Sequence, residues 1–219
     1  MNKILMTAGA AILALSTAAS AATLSIVGGV AGTIPDTPGT NDVINALMPG
    51  HPMPLPGYFE SQIAASLGSK DKVLVEVMGF EAGFRNTFSA GGTSYTSTGG
   101  KVVAPDLDTP LARWTTTSVT GGLLDFVFST TGNSSVSSKV VTNGDTNENI
   151  EGFANFFATT DHKGKIWLFF DDGGGNNDDD NHDDLVIRLS VVPLPAGALL
   201  LLTGLGGLAL YRRRKQTVA

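Results

Sequence analysis

The chain contains no cysteine, so no disulfide can staple it and no thiolate can act as nucleophile or metal ligand. It also lacks a Gly-x-Ser-x-Gly elbow, a His-Glu-x-x-His helix and a phosphate-binding loop, which removes the commonest sequence signs of hydrolases and nucleotide-binding enzymes. The three histidines, His51, His162 and His182, are scattered, and aromatic residues make up only 7% of the chain, few for a sugar-binding cleft. Trp114 and Trp167 are available to stack on a sugar, but large aromatics mostly serve as core residues, and core packing is the expectation for both. No enzyme is expected.

Long apolar runs are confined to the two ends. Near the N-terminus, Lys3 precedes an apolar stretch from Ile4 to Leu15 and the small residues Ala19, Ser20 and Ala21. That order is a secretory signal peptide over residues 1–21, with cleavage after Ala21. At the other end, Val192-Pro193-Leu194-Pro195-Ala196 is followed by an apolar run from Gly197 to Tyr211 and then by Arg212, Arg213, Arg214 and Lys215. A run of that length is short against the roughly 20 residues that span a bilayer, and the four cations act as a membrane stop held on the cytoplasmic side. Within the run, Gly204-x-Gly206-x-x-Ala209 has the spacing of a dinucleotide-binding turn but not its strand-loop-helix setting, and reads as small residues of a membrane helix.

The paired prolines, apolar run and basic tetrad together resemble the VPLPA-CTERM variant of the PEP-CTERM sorting signals. The resemblance covers residues 193–219 and Val192. It implies recognition by an exosortase-like membrane protease that cuts near the proline motif, after a stage in which the protein is held at the inner membrane. The alternative is an ordinary C-terminal anchor, but an anchor has no use for paired prolines at its outer edge. Proline restricts its neighbours to extended conformations, which suits a peptide held in a protease cleft.

Between the two ends lies one domain-sized body, residues 22–192. Basic charge is scarce there. All 20 acidic residues but only 9 of the 14 basic ones fall in the body, which leaves it at −11. Nucleic acid is therefore excluded as a partner, because its phosphates need a basic surface. Divalent cations and neutral glycans fit an acidic exported protein better.

The body is rich in Gly, Ser, Thr and Asn, with short apolar bursts between, a pattern of short strands and turns. Lys72 to Met78 sets Val73, Val75 and Val77 on one face, and Leu123 to Phe128 does the same with Leu124, Phe126 and Phe128. Ile166 to Phe170 is a nearly continuous apolar run, and Leu185 to Val191 alternates Leu185, Ile187, Leu189 and Val191 with Val186, Arg188 and Ser190. These last two are expected to pair across one long loop. The chief helical candidate is Tyr58 to Leu67, where Phe59, Ile63 and Leu67 recur every four residues before Gly68. Thr33 to Pro56 holds six of the ten prolines and reads as an irregular or extended surface segment. The expected fold is mainly β, a jelly-roll-like β-sandwich flanked by the signal peptide and a transmembrane sorting helix.

Chemistry concentrates in the loop between the last two strands. Asp171 to Asp184 places seven carboxylates in fourteen residues, with Gly173, Gly174 and Gly175 among them. Adjacent ionised carboxylates repel one another unless solvent or a cation relieves the charge. Calcium, a hard cation that takes roughly six to eight oxygens, suits such a loop. The candidate ligands are Asp171, Asp172, Asp178, Asp180 and Asp184. The spacing lacks the glycine and closing glutamate of an EF-hand, and a solvated acidic loop is the alternative.

With the segment Gly79 to Phe88, this Asp-rich hairpin also resembles DUF4114-like secreted domains, a resemblance that implies a β-rich body and assigns no catalytic residue. The expected function is that of an exported structural or adhesive protein of the cell surface or extracellular polysaccharide layer, stabilised by calcium. A secreted glycan-binding module is the runner-up, which an exposed aromatic platform would favour. A membrane-anchored hydrolase comes third, since a glycosidase asks only for a cleft with two positioned carboxylates.

Overall fold

The computed structural model describes residues 22–35, 42–47, 54–69, 71–132, 137, 139–145, 147–150, 152–173 and 181–192. Within them the protein is mainly β. The elements in order are β1 (Thr23–Ile34), α1 (Asp42–Leu47), β2 (Leu55–Ser66), β3 (Lys72–Ala82), β4 (Arg85–Ala90), β5 (Thr93–Thr96), β6 (Gly100–Val103) and β7 (Ala112–Thr116). They continue with β8 (Val119–Thr120), β9 (Leu123–Leu124), β10 (Phe126–Thr131), β11 (Val140–Thr142), β12 (Asn155–Thr160), β13 (Ile166–Asp171) and β14 (Leu185–Val192).

Ten strands form one antiparallel sheet in the order β6-β3-β14-β13-β12-β2-β9-β8, with β1 paired to β2 and β7 to β3. The other four form a smaller sheet, β11-β10-β4-β5. The expected pairing of the last two strands is present, with Ile166 opposite Leu189 and Phe170 opposite Leu185.

Val73, Val75, Val77, Leu185, Ile187, Leu189, Leu168 and Phe170 of the large sheet share one apolar core with Leu124, Phe88, Phe126 and Phe128. The alternation read from the sequence points the right residues inward on both β3 and the β9–β10 stretch. Phe128 lies flat on Phe170, ring centroids 4.7 Å apart and planes within 3°. Each buried phenylalanine removes enough apolar surface from water to contribute about 1.5–3 kcal/mol.

The other face of the large sheet is buried as well. Met78, Val186, Trp167, Phe169 and Phe157 pack there against Ile34, Leu55, Phe59 and the helix residues Val43, Ile44 and Leu47. Burial on both faces explains why Ile166 to Phe170 carries no polar alternation. It also corrects the surface placement of Thr33 to Pro56: among its described residues the two ends are extended, as one of the expected forms, but Ile34, Val43, Ile44, Leu47 and Leu55 are buried. β1 runs on to Ile34, β2 begins at Leu55, and α1 contributes Val43, Ile44 and Leu47, one helical turn of apolar residues, to this second core.

The expected helix at Tyr58 to Leu67 is instead most of β2. Phe59, Ser61, Ile63 and Ala65 are buried in alternation. A four-residue spacing fits one helical turn, but it is also twice the strand period, and the long partner β1 decides between them. Where the two strands cross between the cores they kink at Gly28, Gly29 and Glu60, all with positive φ. A Cβ at Gly29 would lie 2.6 Å from the Phe59 carbonyl oxygen, so this position requires glycine.

Among the described residues no helix is long and apolar enough to cross a membrane. The expected signal peptide, residues 1–21, and the expected sorting segment, residues 193–219, lie outside the described residues.

Candidate functional site: a polar rim at the root of the acidic hairpin

β13 and β14 stay paired up to Phe170 and Leu185, and there the apolar sequence gives way to Asp171 and Asp172 on one side and Asn181 to Asp184 on the other. Successive residues of a strand face opposite ways, so the two neighbouring aspartates part company. Asp171 follows Phe169 toward the helix-covered face, and Asp172 follows Phe170 into the gap between the sheets.

On the helix side, His182 is fully buried with φ of 57°, its ring edge-on to Phe59 at 5.4 Å. Its Nε2 lies 2.8 Å from Asn155 Oδ1, and its Nδ1 is 3.9 Å from Asp171 Oδ2. Asp171 Oδ1 accepts from the Gly173 N–H at 2.7 Å, a turn that caps the strand end. The buried Asp183 is tied in by its backbone, whose carbonyl accepts from the Glu81 N–H at 2.8 Å, and its Oδ2 lies 3.5 Å from the Val43 amide nitrogen.

On the inter-sheet side, Asn86 of β4 donates from Nδ2 to Asp172 Oδ2 at 2.9 Å. The Asp172 N–H in turn donates to Asp184 Oδ2 at 2.7 Å, closing the neck of the hairpin. Asn86 is paired across the small sheet with Thr130 of β10, and both side chains are buried.

Of the expected calcium ligands, Asp172 and Asp184 are thus joined, Asp171 sits on the opposite face, and Asp178 and Asp180 lie outside the described residues. Among the described residues no three His, Asp or Glu side chains converge as a metal shell. Oxygen from neutral side chains is what sequence reasoning missed: Asn86 and Thr130 are two residues from Phe88 and Phe128, so they share the inward register of those phenylalanines. His182, counted as one of three scattered histidines, is fully buried in the neck, as is Asp183. Of the sorting motif, Val192 ends β14, whereas Pro193, Leu194, Pro195, Ala196 and the membrane stop Arg212 to Lys215 lie outside the described residues.

The opposite end of the molecule carries two adjoining clefts of about 450 and 470 Å³ that share Gly91 and Ser118. Asp125 lies in the second, its Oδ2 accepting from the Ser118 hydroxyl at 2.6 Å and the Thr120 hydroxyl at 3.0 Å. Trp167 is a core residue, and Trp114 is partly buried and packs against the core. Trp114 donates from Nε1 to the Ala90 carbonyl at 3.1 Å, and the buried Trp167 stacks on Phe169.

The fold and this rim define a mainly antiparallel β protein whose last strand pair carries Asp171, Asp172, Asp183 and Asp184 at one end. In comparisons with known proteins the chain matches no family model, no curated protein and no solved structure.

Proposed function

We propose that this is an exported protein of the cell surface or extracellular polysaccharide layer, structural or adhesive in role, whose tail is a VPLPA-CTERM-type signal processed by an exosortase-like membrane protease. The observation that carries the reading is that the described β body fills the interval between the two end segments: Thr23, just past the expected signal cleavage, lies in β1, and Val192, the first residue of the Val-Pro-Leu-Pro-Ala motif, lies in β14. Proline has no N–H to donate to a ladder and holds its neighbours extended, which suits the Pro193 to Pro195 stretch to capture by a protease. In this reading the body is a jelly-roll-like β-sandwich, supported by the core shared between the two sheets. The membrane is a transient partner, exopolysaccharide the surrounding one, and nucleic acid is no partner of a body carrying −11. Calcium held at the acidic hairpin stabilises it.

Mass spectrometry of both ends of the protein, isolated from cells with an active exosortase, tests the proposal. The mature form is expected to begin near Ala22 and to lack the segment from about Ala196 onward, and Pro193→Ala with Pro195→Ala is expected to block the second cut. An intact Arg-rich terminus on the exported protein would overturn the sorting reading. Neutralising Arg212 to Lys215 disturbs membrane retention and orientation instead, which separates anchoring from recognition.

A further inference from the structure

We infer that the ion held at the acidic hairpin is a calcium ion gripped between the two sheets, with Asn86 Oδ1 and Thr130 Oγ1 as neutral ligands beside the Asp172 carboxylate. This deepens the calcium reading above and rests on it.

Three residues, each two positions from a core phenylalanine, form one layer: Asn86 from Phe88, Thr130 from Phe128 and Asp172 from Phe170. The stacked rings of Phe128 and Phe170 are the floor of that layer. Asn86 and Thr130 face each other across β4 and β10, and the Asn86 amide reaches the Asp172 carboxylate on the other sheet. The layer is therefore common to both sheets.

It is also dry and incompletely satisfied. Asn86 is 0% and Thr130 2% exposed, yet neither Asn86 Oδ1 nor the Thr130 hydroxyl has a hydrogen-bond partner. Buried polar atoms are nearly always paired, so two orphan oxygens on facing residues beside a carboxylate mark a place for something that takes oxygen. The donor set contains carboxylate, amide carbonyl and hydroxyl and no nitrogen or sulfur, the preference of a hard cation. Calcium fits better than magnesium, because ligands drawn from separate strands suit its flexible shell, whereas magnesium demands a near-ideal octahedron and holds its waters.

The site couples the hairpin to the fold. An ion that bridges Asp172 at the end of β13 to Asn86 of β4 and Thr130 of β10 ties the small sheet to the large one.

The test uses the full exported chain, stripped with chelator and titrated with calcium while melting temperature is followed, and with terbium as a luminescent probe of direct binding. Thr130→Val keeps the shape and removes the hydroxyl. Its calcium affinity is expected to fall by about tenfold or more, the scale of losing one supporting group at a metal site, while its melting temperature in chelator equals or exceeds that of the wild type. Thr130→Ser is expected to bind as the wild type does, and Asn86→Asp to enlarge the calcium-dependent rise in melting temperature. If Thr130→Val and Asn86→Asp both leave calcium and terbium binding unchanged while Asp178→Asn with Asp180→Asn abolishes it, the loop holds the ion alone, and this inference falls with the calcium reading intact. A wild-type chain indifferent to calcium overturns both.

Discussion

Arg188 and Glu76 are buried on the helix-covered face of the large sheet much as Asn86 and Asp172 are buried between the sheets, yet the two groupings are finished differently. Arg188 donates to Glu76 Oε2 through Nε at 2.9 Å and Nη2 at 2.8 Å, donates again to the Leu107 carbonyl, and lies 5.3 Å over the Trp167 ring. Its charge is matched, and both Nε and Nη2 are in use. At the rim, by contrast, Asn86 spends its amide on Asp172 while its carbonyl oxygen and the Thr130 hydroxyl stay unused. A closed polar network belongs to the fold. An open one beside a carboxylate leaves oxygens for a further partner to use.

The largest effect is expected from opening the closed network. Glu76→Ala leaves the Arg188 charge buried without its carboxylate, and breaking one side of a buried ion pair costs about 3–5 kcal/mol. Equilibrium urea unfolding measures it, and a loss under about 1 kcal/mol, the range of an exposed pair, would show that water reaches the site. Replacing both partners by apolar residues of similar volume is expected to recover most of the loss.

Filling the open network comes next. At free calcium about a hundred times the dissociation constant, linkage to the folded state contributes roughly 2.7 kcal/mol. That is a visible rise in melting temperature, which Asp178→Asn with Asp180→Asn is expected to remove while leaving the fold intact. A melting curve unmoved by millimolar calcium makes the hairpin a solvated acidic loop.

Asn143 sharpens the comparison from a third position. Its side chain accepts from the Ile63 N–H and donates to the carbonyls of Ile63 and Leu124, standing in for a strand where β12 and β9 diverge along β2. Asn143→Ala strands buried backbone groups, each at about 1–3 kcal/mol when left dry. Water entering the gap brings the expected loss to about 2 kcal/mol, read by the same urea titration. Hydrogen exchange at Ile63 is expected to accelerate in the variant, and an unchanged rate would sink the strand-mimic role.

The smallest effect is one of pH. Burial pushes the Asp161 carboxyl up, but the backbone N–H of Lys165, the Trp167 indole, the backbone N–H of Lys163 and the His162 charge together hold it below the usual aspartate range. A depressed folded-state pKa contributes stability that is present above the unfolded value, near 3.9 for aspartate, and is lost as pH falls through the folded one. Asp161→Asn is therefore expected to lower stability modestly at neutral pH and to flatten the acid limb of the stability curve, the difference from the wild type closing as pH falls. An acid limb identical to the wild type would remove Asp161 from the account.

How much of this was legible in advance differs from element to element. β3, β13 and β14 could be read directly, because alternation, length and β-branched content agree for β3 and β14, and a short apolar run between turn residues marks β13. β2 could not. Phe59 and Ile63 obey both periods, and the choice rests on Thr23 to Ile34 pairing along its whole length, a contact that no local window contains. The acidic neck was legible as composition but not as geometry, since Asp171 and Asp172 are neighbours in the chain and face opposite sides of the sheet.

The chain alone determined that no disulfide holds this protein, that its body is strongly acidic and mainly β, and which strand residues turn inward, because each of these follows from residue types and the two-residue period of a strand. Only the tertiary structure decided that the large sheet has two buried faces, that Val43, Ile44 and Leu47 cover one of them, and that Asn86 meets Asp172 across 86 residues of sequence. Such contacts depend on which sheet packs on which face and in what register, and that is settled by the sum of many weak apolar contacts over the whole body, not by the residues that end up touching.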